Sequence, residues 1–353
     1  MQFEPFDLLW RVPEAHGRVR YDLSSSDMPA QRLSDVGGLE DLGLEGGTLG
    51  GSRELRDLLA GRFGGRPDDY IVTCGASEAN FAVYAGLLSP GDRVLVERPV
   101  YQPLEAIPRA MGAQVDHLVR PESEDFRLAT DLVREALPDG LRLLTLTNLH
   151  NPTGAALDAS TLRGIADLAA ERGFYVLVDE VFRELAFGRE PPTMGGRNEY
   201  VIVTSGVGKF YGAGGLRIGW VRATGEARRR VRAALDYMSA NPPTPSDRIA
   251  RVLLRQKEKT ALRNRKLIEE GRKIAREWAE TARAVRYIEP VGHLSFPSIE
   301  TDTLPLADRL LNEHSTFLAP GECFGLPRHF RLNLGRGPEQ LEGGLRAVSR
   351  VLR

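Results

Sequence analysis

Short apolar runs alternate with amphipathic stretches over the first two thirds of the chain. Seven of these runs are rich in valine, isoleucine and leucine, which is the pattern of buried strands. The predicted strands are "YIVTC" (70–74), "RVLVE" (93–97), "QVDHLV" (114–119), "LRLLTLT" (141–147), "FYVLVDE" (174–180), "YVIVT" (200–204) and "RIGWV" (217–221). Because the runs are apolar on both faces, they predict a sheet that is covered on both sides.

Helical patterns separate these predicted strands. The clearest are residues 77–88 and 160–172, and Gly173 stands where a glycine commonly ends a helix. An alternation of strand and helix is typical of a mostly parallel sheet between helices. The sequence therefore predicts an α/β fold built on a seven-stranded sheet.

The pattern changes after about Thr224. A long charged helical stretch covers residues 246–282, and shorter strand patterns and a closing helix follow it. We therefore predict an N-terminal arm at 1–30, a large α/β domain at 31–235 and a smaller α+β domain at 236–353. The arm has too few periodic apolar positions to form a domain, so we expect it to pack on another part of the protein.

The composition is that of an ordinary globular protein. Of the 353 residues, 42% are hydrophobic and 27% are charged, and the net charge is -1. This charge gives no reason to expect nucleic acid or a membrane as a partner, so a small ligand is expected. Cys74 and Cys323 lie far apart, which predicts neither a disulfide framework nor a zinc site. There is no signal-peptide pattern and no bilayer-spanning apolar run, so we predict a cytoplasmic location.

Two predicted strands end at turns that carry polar side chains. Gly75, Ala76 and Ser77 open a helix, where free backbone amides and the positive helix end suit an anion such as a phosphate. The serine could equally be the N-cap of that helix. Asn151, held out of helical geometry by Pro152, could donate its amide to a ligand oxygen or simply form a turn.

Another strand end carries a carboxylate. Asp179 closes a buried apolar run, where an ionised carboxylate is costly unless a cation or strong donor pairs with it. An N-cap role is the alternative, and the neighbouring Glu180 could be the residue that faces solvent.

A single lysine lies among glycines in "TSGVGKFYGAGGLRIGW" (204–220). Gly208 and Lys209 do not belong to a phosphate-binding P-loop, because Val203 and Phe210 replace the glycine and the hydroxyl residue which that loop requires. Two interpretations remain for Lys209. It could be an amine nucleophile towards a carbonyl group, or an ordinary surface lysine in a turn.

In their order along the chain, the motifs "GAS", "PVY", "HNPTG", "DEVF", "SGVGKFYGAGGLRIGW" and "FRLNLG" resemble those of the class I and II aminotransferases. These are enzymes of fold type I that use pyridoxal 5′-phosphate. The resemblance extends from about Gly51 to Gly335. It implies that the large domain binds the cofactor, that the substrates are an amino acid and a 2-oxo acid, and that the protein is a homodimer with its sites at the interface.

The resemblance also implies roles for individual residues around the cofactor ring. Lys209 would form the internal aldimine and, once released by the substrate amine, carry a proton to and from the substrate α-carbon. Asp179 would pair with the pyridine nitrogen, which keeps the ring able to accept electrons. Asn151 would donate to the phenolic oxygen, and Tyr101 would stack on the ring face.

Further implied roles concern the phosphate and the substrate. Gly75, Ala76 and Ser77 would hold the phosphate together with Arg217. Arg331 would bind the substrate α-carboxylate through two parallel hydrogen bonds.

Four positions depart from the family pattern. Phe182 replaces a tyrosine that would reach the phenolic oxygen, and Gly206 and Gly208 replace frequent hydroxyl residues near the lysine. Gly46 stands where relatives carry a tyrosine that reaches the partner subunit's phosphate. Because each neutral hydrogen bond contributes about 0.5 to 1.5 kcal/mol, we expect the cofactor to bind more weakly without being lost.

The function that the resemblance implies is amino-group transfer in two half-reactions with ping-pong kinetics. Two alternatives stay open at this point: a decarboxylase, lyase or cyclising enzyme with the same cofactor, which the four departures make more plausible, and a non-catalytic cofactor-binding protein. Ser25, Ser26 and Asp27, in "YDLSSSDMP" (21–29), resemble the segment that lines the substrate site in relatives. They could equally form a polar turn.

Overall fold

The computed structural model describes residues 1–15, 17–37, 42–282 and 284–352. Within these ranges the helices are α1 (Asp7–Ala15), α2 (Leu33–Val36), α3 (Arg53–Phe63), α4 (Ala76–Leu87), α5 (Pro103–Ala110), α6 (Thr130–Ala136), α7 (Ala159–Arg172), α8 (Gly225–Asp236), α9 (Thr244–Arg255), α10 (Lys257–Thr281), α11 (Thr303–His314) and α12 (Pro338–Val351). The strands are β1 (Tyr21–Asp22), β2 (Tyr70–Thr73), β3 (Arg93–Arg98), β4 (Gln114–Val119), β5 (Leu141–Thr147), β6 (Tyr175–Asp179), β7 (Val201–Gly206), β8 (Gly219–Arg222), β9 (Leu294–Ser295), β10 (Thr316–Phe317), β11 (Ala319–Pro320) and β12 (Phe330–Asn333).

The seven predicted strands form one seven-stranded sheet, in the order β2-β8-β7-β6-β5-β3-β4. Only β8 runs antiparallel to its neighbours, and the other adjacent pairs are parallel. The predicted α/β fold with a mostly parallel sheet is therefore confirmed.

Alternate side chains of these strands enter two separate apolar clusters. Leu143 and Leu177 lie in a cluster with side chains of α4 and α8. Leu144 and Val176 lie in a second cluster with side chains of α6 and α7. Helices therefore cover both faces of the sheet, as the doubly apolar strand patterns predict.

The predicted helices are present, with one division that the sequence pattern did not show. The helix predicted at 77–88 is α4, and α7 ends at Gly173 in the left-handed conformation. The charged stretch at 246–282 forms two helices, α9 and α10, that are interrupted at Gln256. The side chain of Gln256 donates to the backbone oxygen of Val36, which ties this break to the N-terminal part of the chain.

The N-terminal arm packs against C-terminal elements. Strand β1 pairs in parallel with β10, and a three-stranded antiparallel sheet has the order β11-β12-β9. Leu8 of α1 lies in an apolar cluster with Phe296 and Phe324. The domain boundaries at residues 30 and 235 stay a prediction. No helix within the described ranges has both the length and the apolar character needed to cross a membrane.

Candidate active site

The carboxyl ends of three parallel strands bring predicted site residues to one edge of the large sheet. Thr147 of β5 lies beside Asp179 of β6, which in turn lies beside Thr204 of β7. One cavity opens at this edge, as expected for a parallel sheet. The predicted residues that line it are Gly75, Ala76, Ser77, Tyr101, Asn151, Asp179, Lys209 and Arg217. Arg331 lines an adjoining groove that shares Tyr101 and Lys209 with this cavity, and it donates a hydrogen bond to Asn151.

Asp179 is 6% exposed and accepts hydrogen bonds from two neutral donors. The side-chain nitrogen of Asn80 donates to Oδ2 at 2.8 Å, and the backbone nitrogen of Val181 donates to Oδ1 at 3.0 Å. Burial raises the pKa of Asp179, although both hydrogen bonds and the charge of Lys209 act in the opposite direction. The carboxylate would therefore be stabilised by a cationic group on the cavity side.

The alternatives for this strand end are not supported. No α-helix begins at Asp179, since only a short 3-10 turn at Arg183–Ala186 follows it. Glu180 does not face solvent: it is 4% exposed, pairs with Arg183 at 3.1 Å and accepts a hydrogen bond from the backbone of Met194. The solvent-facing interpretation of Glu180 is therefore wrong.

Asn80 is a site residue that the sequence reasoning missed. Its Nδ2 donates to Asp179, and its Oδ1 accepts from the hydroxyl of Thr204 at 2.6 Å. With a partner on each end, the amide has a single favourable orientation. The available signal was a buried polar residue one turn into α4, a helix whose other buried residues are alanine, valine, tyrosine and leucine.

The loop before α4 has the features of an anion site. Gly75 is the N-cap, with φ of 87°, so the interpretation of Ser77 as the N-cap is wrong. Arg217 lies across this loop, and its Nη2 donates to the backbone oxygen of Cys74 at 3.3 Å. The positive φ of Gly75 favours glycine at this position, and a Cβ there would lie 2.4 Å from that Nη2 and displace the guanidinium end. The helix N-terminus and the guanidinium together favour a phosphate.

Lys209 extends from the loop after β7 to the N-terminal arm. Its Nζ donates to the hydroxyl of Ser26 at 2.9 Å and to Oδ1 of Asp27 at 2.5 Å. The same Nζ lies 5.8 Å from the centre of the Phe182 ring. Ser26 and Asp27 therefore belong to this cavity, whereas the hydroxyl of Ser25 accepts from the backbone nitrogen of Asp27.

Arg331, on β12, is 3% exposed. Its Nη1 donates to Oδ1 of Asn151 at 3.1 Å, and its Nη2 donates to the backbone oxygen of Ser24 at 2.6 Å. Its Nε has no hydrogen-bond partner among the described residues. Burial lowers the pKa of Arg331 to about 10, so the guanidinium is still charged at neutral pH. A buried cation with a free donor suits a carboxylate ligand.

Tyr101 lines the same cavity and contacts the arm. The ring of Phe6 meets it edge-on, with 5.4 Å between ring centres. Burial raises the pKa of Tyr101 to about 12, so its hydroxyl is protonated at neutral pH. The ring can therefore offer a flat apolar face to a ligand.

A buried ion pair supports the turn that carries Asn151. Glu97 accepts from Arg120 at 2.8 Å and from the hydroxyl of Thr147 at 2.6 Å, and that hydroxyl accepts from the backbone of Asn151. Both ring nitrogens of His150 lie within hydrogen-bonding distance of neighbours, the hydroxyl of Thr153 at 2.7 Å and the backbone oxygen of Pro99 at 3.0 Å. Its burial lowers its pKa well below the usual value, which keeps the ring neutral.

Neither metal nor disulfide chemistry is indicated within the described ranges. No group of three or more histidine, cysteine, aspartate or glutamate side chains there is arranged to hold a metal ion. Cys74 and Cys323 are both free thiols.

The residues that line the cavity agree with the protein family that the whole chain resembles. The family described as Aminotransferase class I and II matches residues 41–348. The chain belongs to this family. It is a pyridoxal-phosphate-dependent enzyme of the aminotransferase fold, as the sequence motifs indicated.

Individual relatives extend the comparison over nearly the full length. The chain is 30% identical to capreomycidine synthase from Streptomyces vinaceus, over 96% of this chain and 91% of that protein. It is 28% identical to an aspartate aminotransferase from Streptomyces avermitilis, over 80% of this chain and 74% of that protein. A crystal structure of a PLP-dependent aminotransferase from Streptococcus suis superposes with a TM-score of 0.92 at 28% identity, covering 100% of this chain and 98% of that one.

The aminotransferase cavity in this chain fits pyridoxal 5′-phosphate on three observations. Asp179 is a buried carboxylate with only neutral hydrogen-bond donors, which suits a pyridinium nitrogen. Gly75, in a backbone conformation that favours glycine, lies beside the guanidinium of Arg217, as a backbone cradle for a phosphate requires. Lys209 is the one lysine among the described residues that line the cavity, so it supplies an amine for the aldehyde of the cofactor.

The two glycines that replace hydroxyl residues near the lysine have different surroundings in the structure. A Cβ on Gly206 would lie 2.8 Å from the backbone oxygen of Ile218 on the adjacent strand segment, so a larger residue requires a backbone shift. A Cβ on Gly208 would meet only the Cα of Gly214, at an ordinary 3.5 Å. Gly46 has open space around it and lies on the surface. The glycine at 206 is therefore required by packing, and the one at 208 is not.

Proposed function

We propose that this protein transfers an amino group between an amino acid and a 2-oxo acid by a ping-pong mechanism centred on Lys209. The observation that carries the proposal is the position of Lys209, which lines the cavity together with Asp179 and an adjoining groove together with Arg331. An amine, a buried carboxylate and a buried guanidinium supply a nucleophile, a counter-charge and a carboxylate receptor within one site.

The cofactor would be held by residues on the sheet side of the cavity. Gly75, Ala76 and Ser77 would bind the phosphate together with Arg217, and Tyr101 would cover one face of the ring. When bound, pyridoxal 5′-phosphate supplies an electron sink that stabilises a carbanion at the substrate α-carbon. Asp179 would keep a positive charge on the ring nitrogen, because its own carboxylate is buried against neutral donors.

Each remaining residue performs a separate task on the substrate. Arg331 would hold the α-carboxylate through its free Nε and an adjacent Nη, which fixes the α-carbon in the cavity. Lys209 Nζ would then accept the proton from that α-carbon and hold it within the cavity. Asn151, already oriented by Arg331, would donate its Nδ2 into the cavity.

Initial-rate kinetics test the proposal. With holoprotein, varied amino donor and varied 2-oxo acid, parallel double-reciprocal lines and equal amounts of new amino acid and new oxo acid are expected. Release of ammonia or carbon dioxide without any requirement for an oxo acid would show that the protein catalyses another reaction instead of amino-group transfer.

A second candidate is a synthase or cyclising enzyme that uses the same cofactor. It is favoured by the 30% identity, over nearly the whole chain, to a protein named as a synthase rather than an aminotransferase. The centre of the Phe182 ring lies 5.8 Å from Lys209 Nζ, and this side chain has no hydroxyl. This departure from the family pattern favours a reaction other than ordinary transfer. A product that is lighter than the amino donor by water or ammonia, formed without an oxo acid, would identify this reaction by mass spectrometry.

A homodimer and a cytoplasmic location remain part of the proposal. Leu44, Leu49 and Tyr237 are 90%, 64% and 93% exposed, and large apolar side chains so exposed favour burial against a second copy. Light scattering of the holoprotein tests the dimer, and fractionation of cells that express the native protein tests the location.

A further inference from the structure

Among the charged side chains around the cavity and the adjoining groove, Asp27 is a carboxylate for which no role has yet been proposed. Lys209, Arg217, Asp179 and Arg331 each have a proposed role toward the cofactor or the substrate α-carboxylate. Asp27 lines the same cavity and has no such role. A carboxylate in a site that must accept carboxylate substrates is unfavourable unless a cation arrives with the substrate.

The backbone around Asp27 is fixed, while its side chain stays accessible. Its backbone nitrogen donates to the hydroxyl of Ser25 at 3.2 Å, and its backbone oxygen accepts from the side chain of Asn333 at 2.9 Å. The Asp27 side chain is 47% exposed, and its bond to Lys209 Nζ is 2.5 Å. The carboxylate is therefore positioned to meet a cation inside the cavity.

Asp22, the other carboxylate nearby, already has hydrogen-bond partners on both of its oxygens. Its Oδ1 accepts from the backbone and hydroxyl of Ser24 and from the backbone of Ser25, and its Oδ2 pairs with Arg336 at 3.3 Å. The part of the chain that the structure describes gives Asp27 no cation at bonding distance except Lys209.

A groove joins Asp27 to Arg331 along apolar walls. Both line it, and Phe6, Leu9, Val12 and Phe317 contribute apolar side chains. A groove with a guanidinium, a carboxylate and an apolar wall is complementary to a molecule that carries a carboxylate and a cation separated by methylene groups.

We propose that Asp27 selects amino donors whose side chain ends in a guanidinium or ammonium group, and that it disfavours dicarboxylic donors such as aspartate and glutamate. This inference rests on the proposed transfer function. When Lys209 engages the cofactor, Asp27 loses its cation, and the cationic end of the substrate takes that place. Arg331 holds the other end of the same molecule.

Arginine and citrulline test this directly, because they differ mainly in the charge of the side-chain end. Wild-type holoprotein is expected to prefer arginine to citrulline by roughly tenfold in kcat/KM, as one charge-assisted hydrogen bond predicts. Asp27→Asn should reduce that ratio to about one. Asp27→Glu should retain a preference for arginine. The exposed Asp131, on α6, gives a charge-matched control, and Asp131→Asn should leave the ratio unchanged.

A binding measurement supplies a readout that does not depend on turnover. 5-Guanidinopentanoate and 5-ureidopentanoate carry the carboxylate and the side-chain end of the two donors but no α-amine. By calorimetry, wild-type holoprotein should bind the guanidino acid roughly tenfold more tightly, and Asp27→Asn should bind both about equally.

The outcomes separate this inference from the function on which it rests. If Asp27→Asn slows arginine and citrulline equally and leaves both binding constants unchanged, Asp27 acts on Lys209 and the proposal is overturned. A wild-type preference for aspartate or glutamate over arginine overturns it as well, while transfer itself stands. If no amino acid supports transfer, the proposed function fails, and the calorimetric comparison still decides whether Asp27 recognises a cation.

Discussion

The two walls of the cavity are built in different ways. On the sheet side, Asp179, Asn80 and Thr204 are buried and joined by hydrogen bonds of 2.8 and 2.6 Å between neighbouring elements. On the arm side, Ser26 and Asp27 reach Lys209 from a segment with little regular structure, and the ion pair is only partly buried. A buried network has few alternative arrangements, whereas a partly exposed one exchanges partners with solvent and ligand at low cost.

This difference assigns different tasks to the two walls. The sheet side is suited to hold a cofactor that stays in place, because every donor and acceptor there already has a fixed geometry. The arm side is suited to substrates that come and go, and it carries the carboxylate for which we propose substrate selection. Substitutions on the two sides should therefore differ in size and in kind.

The largest effect is expected where the two walls meet. Lys209→Ala removes the amine that contacts the arm and, by our proposal, moves the proton, so kcat should fall by about 10⁴-fold or more. Borohydride treatment followed by mass spectrometry should no longer attach the cofactor to the chain. Lys266→Ala, on the exposed face of α10, is the control and should retain full activity. Activity above about 1% in Lys209→Ala would contradict the assignment.

The next effect belongs to the sheet side. Asp179→Asn should lower kcat/KM by about 10³-fold, because the counter-charge for the ring nitrogen is lost. Its effect on the cofactor-free protein should be opposite in sign to that on activity. Burial raises the folded-state pKa of Asp179 above its unfolded value, so the penalty of the buried carboxylate is absent at low pH and grows as the pH rises.

Urea unfolding of the cofactor-free proteins measures that sign. At pH 7, Asp179→Asn should be at least as stable as wild type, and its advantage should shrink as the pH falls towards 4. Asp69→Asn is the matched control, because Asp69 is equally buried but pairs with Arg66 and accepts its backbone N–H. That variant should lose about 1 kcal/mol. A loss of stability in Asp179→Asn at pH 7 as large as in the control would contradict this prediction. It would show that the existing hydrogen bonds of Asp179 already compensate its buried charge.

Two neutral hydrogen bonds compare the walls most closely. Asn80→Ala removes one of the two hydrogen bonds that Asp179 accepts and the acceptor of the Thr204 hydroxyl, so kcat/KM should fall by about 10- to 100-fold. Ser26→Ala removes a bond to a partly exposed amine that solvent can replace, so the loss should stay below about threefold. Equal losses in the two variants would remove the distinction between the walls.

The smallest effect should appear at the two glycines before the lysine. Gly208→Ser places a hydroxyl where a Cβ meets only Gly214, so the cofactor should bind about two- to tenfold more tightly. Gly206→Ser forces its Cβ against the backbone oxygen of Ile218 and should cost about 1 to 3 kcal/mol of stability. Fluorescence titration with the cofactor and thermal unfolding measure the pair. Tighter binding in both variants, with no loss of stability, would contradict the packing argument.

The sequence predicted the sheet side well because its signals are local. Each strand of the large sheet is a short apolar run, and strand ends such as Asp179 mark the edge where ligands bind. Asn80 escaped notice because a single polar residue in a helix shows its direction only when the packing is known. The break at Gln256 escaped for a similar reason, since its side chain contacts the distant Val36.

The arm side was harder to predict. Contacts such as Lys209 to Asp27 join residues far apart in the chain, and no periodic pattern reports them. The motif resemblance brought Ser25, Ser26 and Asp27 forward only as candidates, beside the alternative of a polar turn. The structure gives them separate places, with Ser26 and Asp27 on the lysine amine and Ser25 supporting the backbone. Long-range pairing of polar groups therefore needed the folded chain.

A single-turnover experiment tests the central claim most directly. Holoprotein is mixed with a slight excess of an amino donor in the absence of any 2-oxo acid, and the bound cofactor and the released product are identified by mass spectrometry. The account predicts one equivalent of 2-oxo acid per site and conversion of the cofactor from its aldehyde to its amine form. Return of the cofactor to its aldehyde form, with ammonia, carbon dioxide or a cyclised product released, would contradict it.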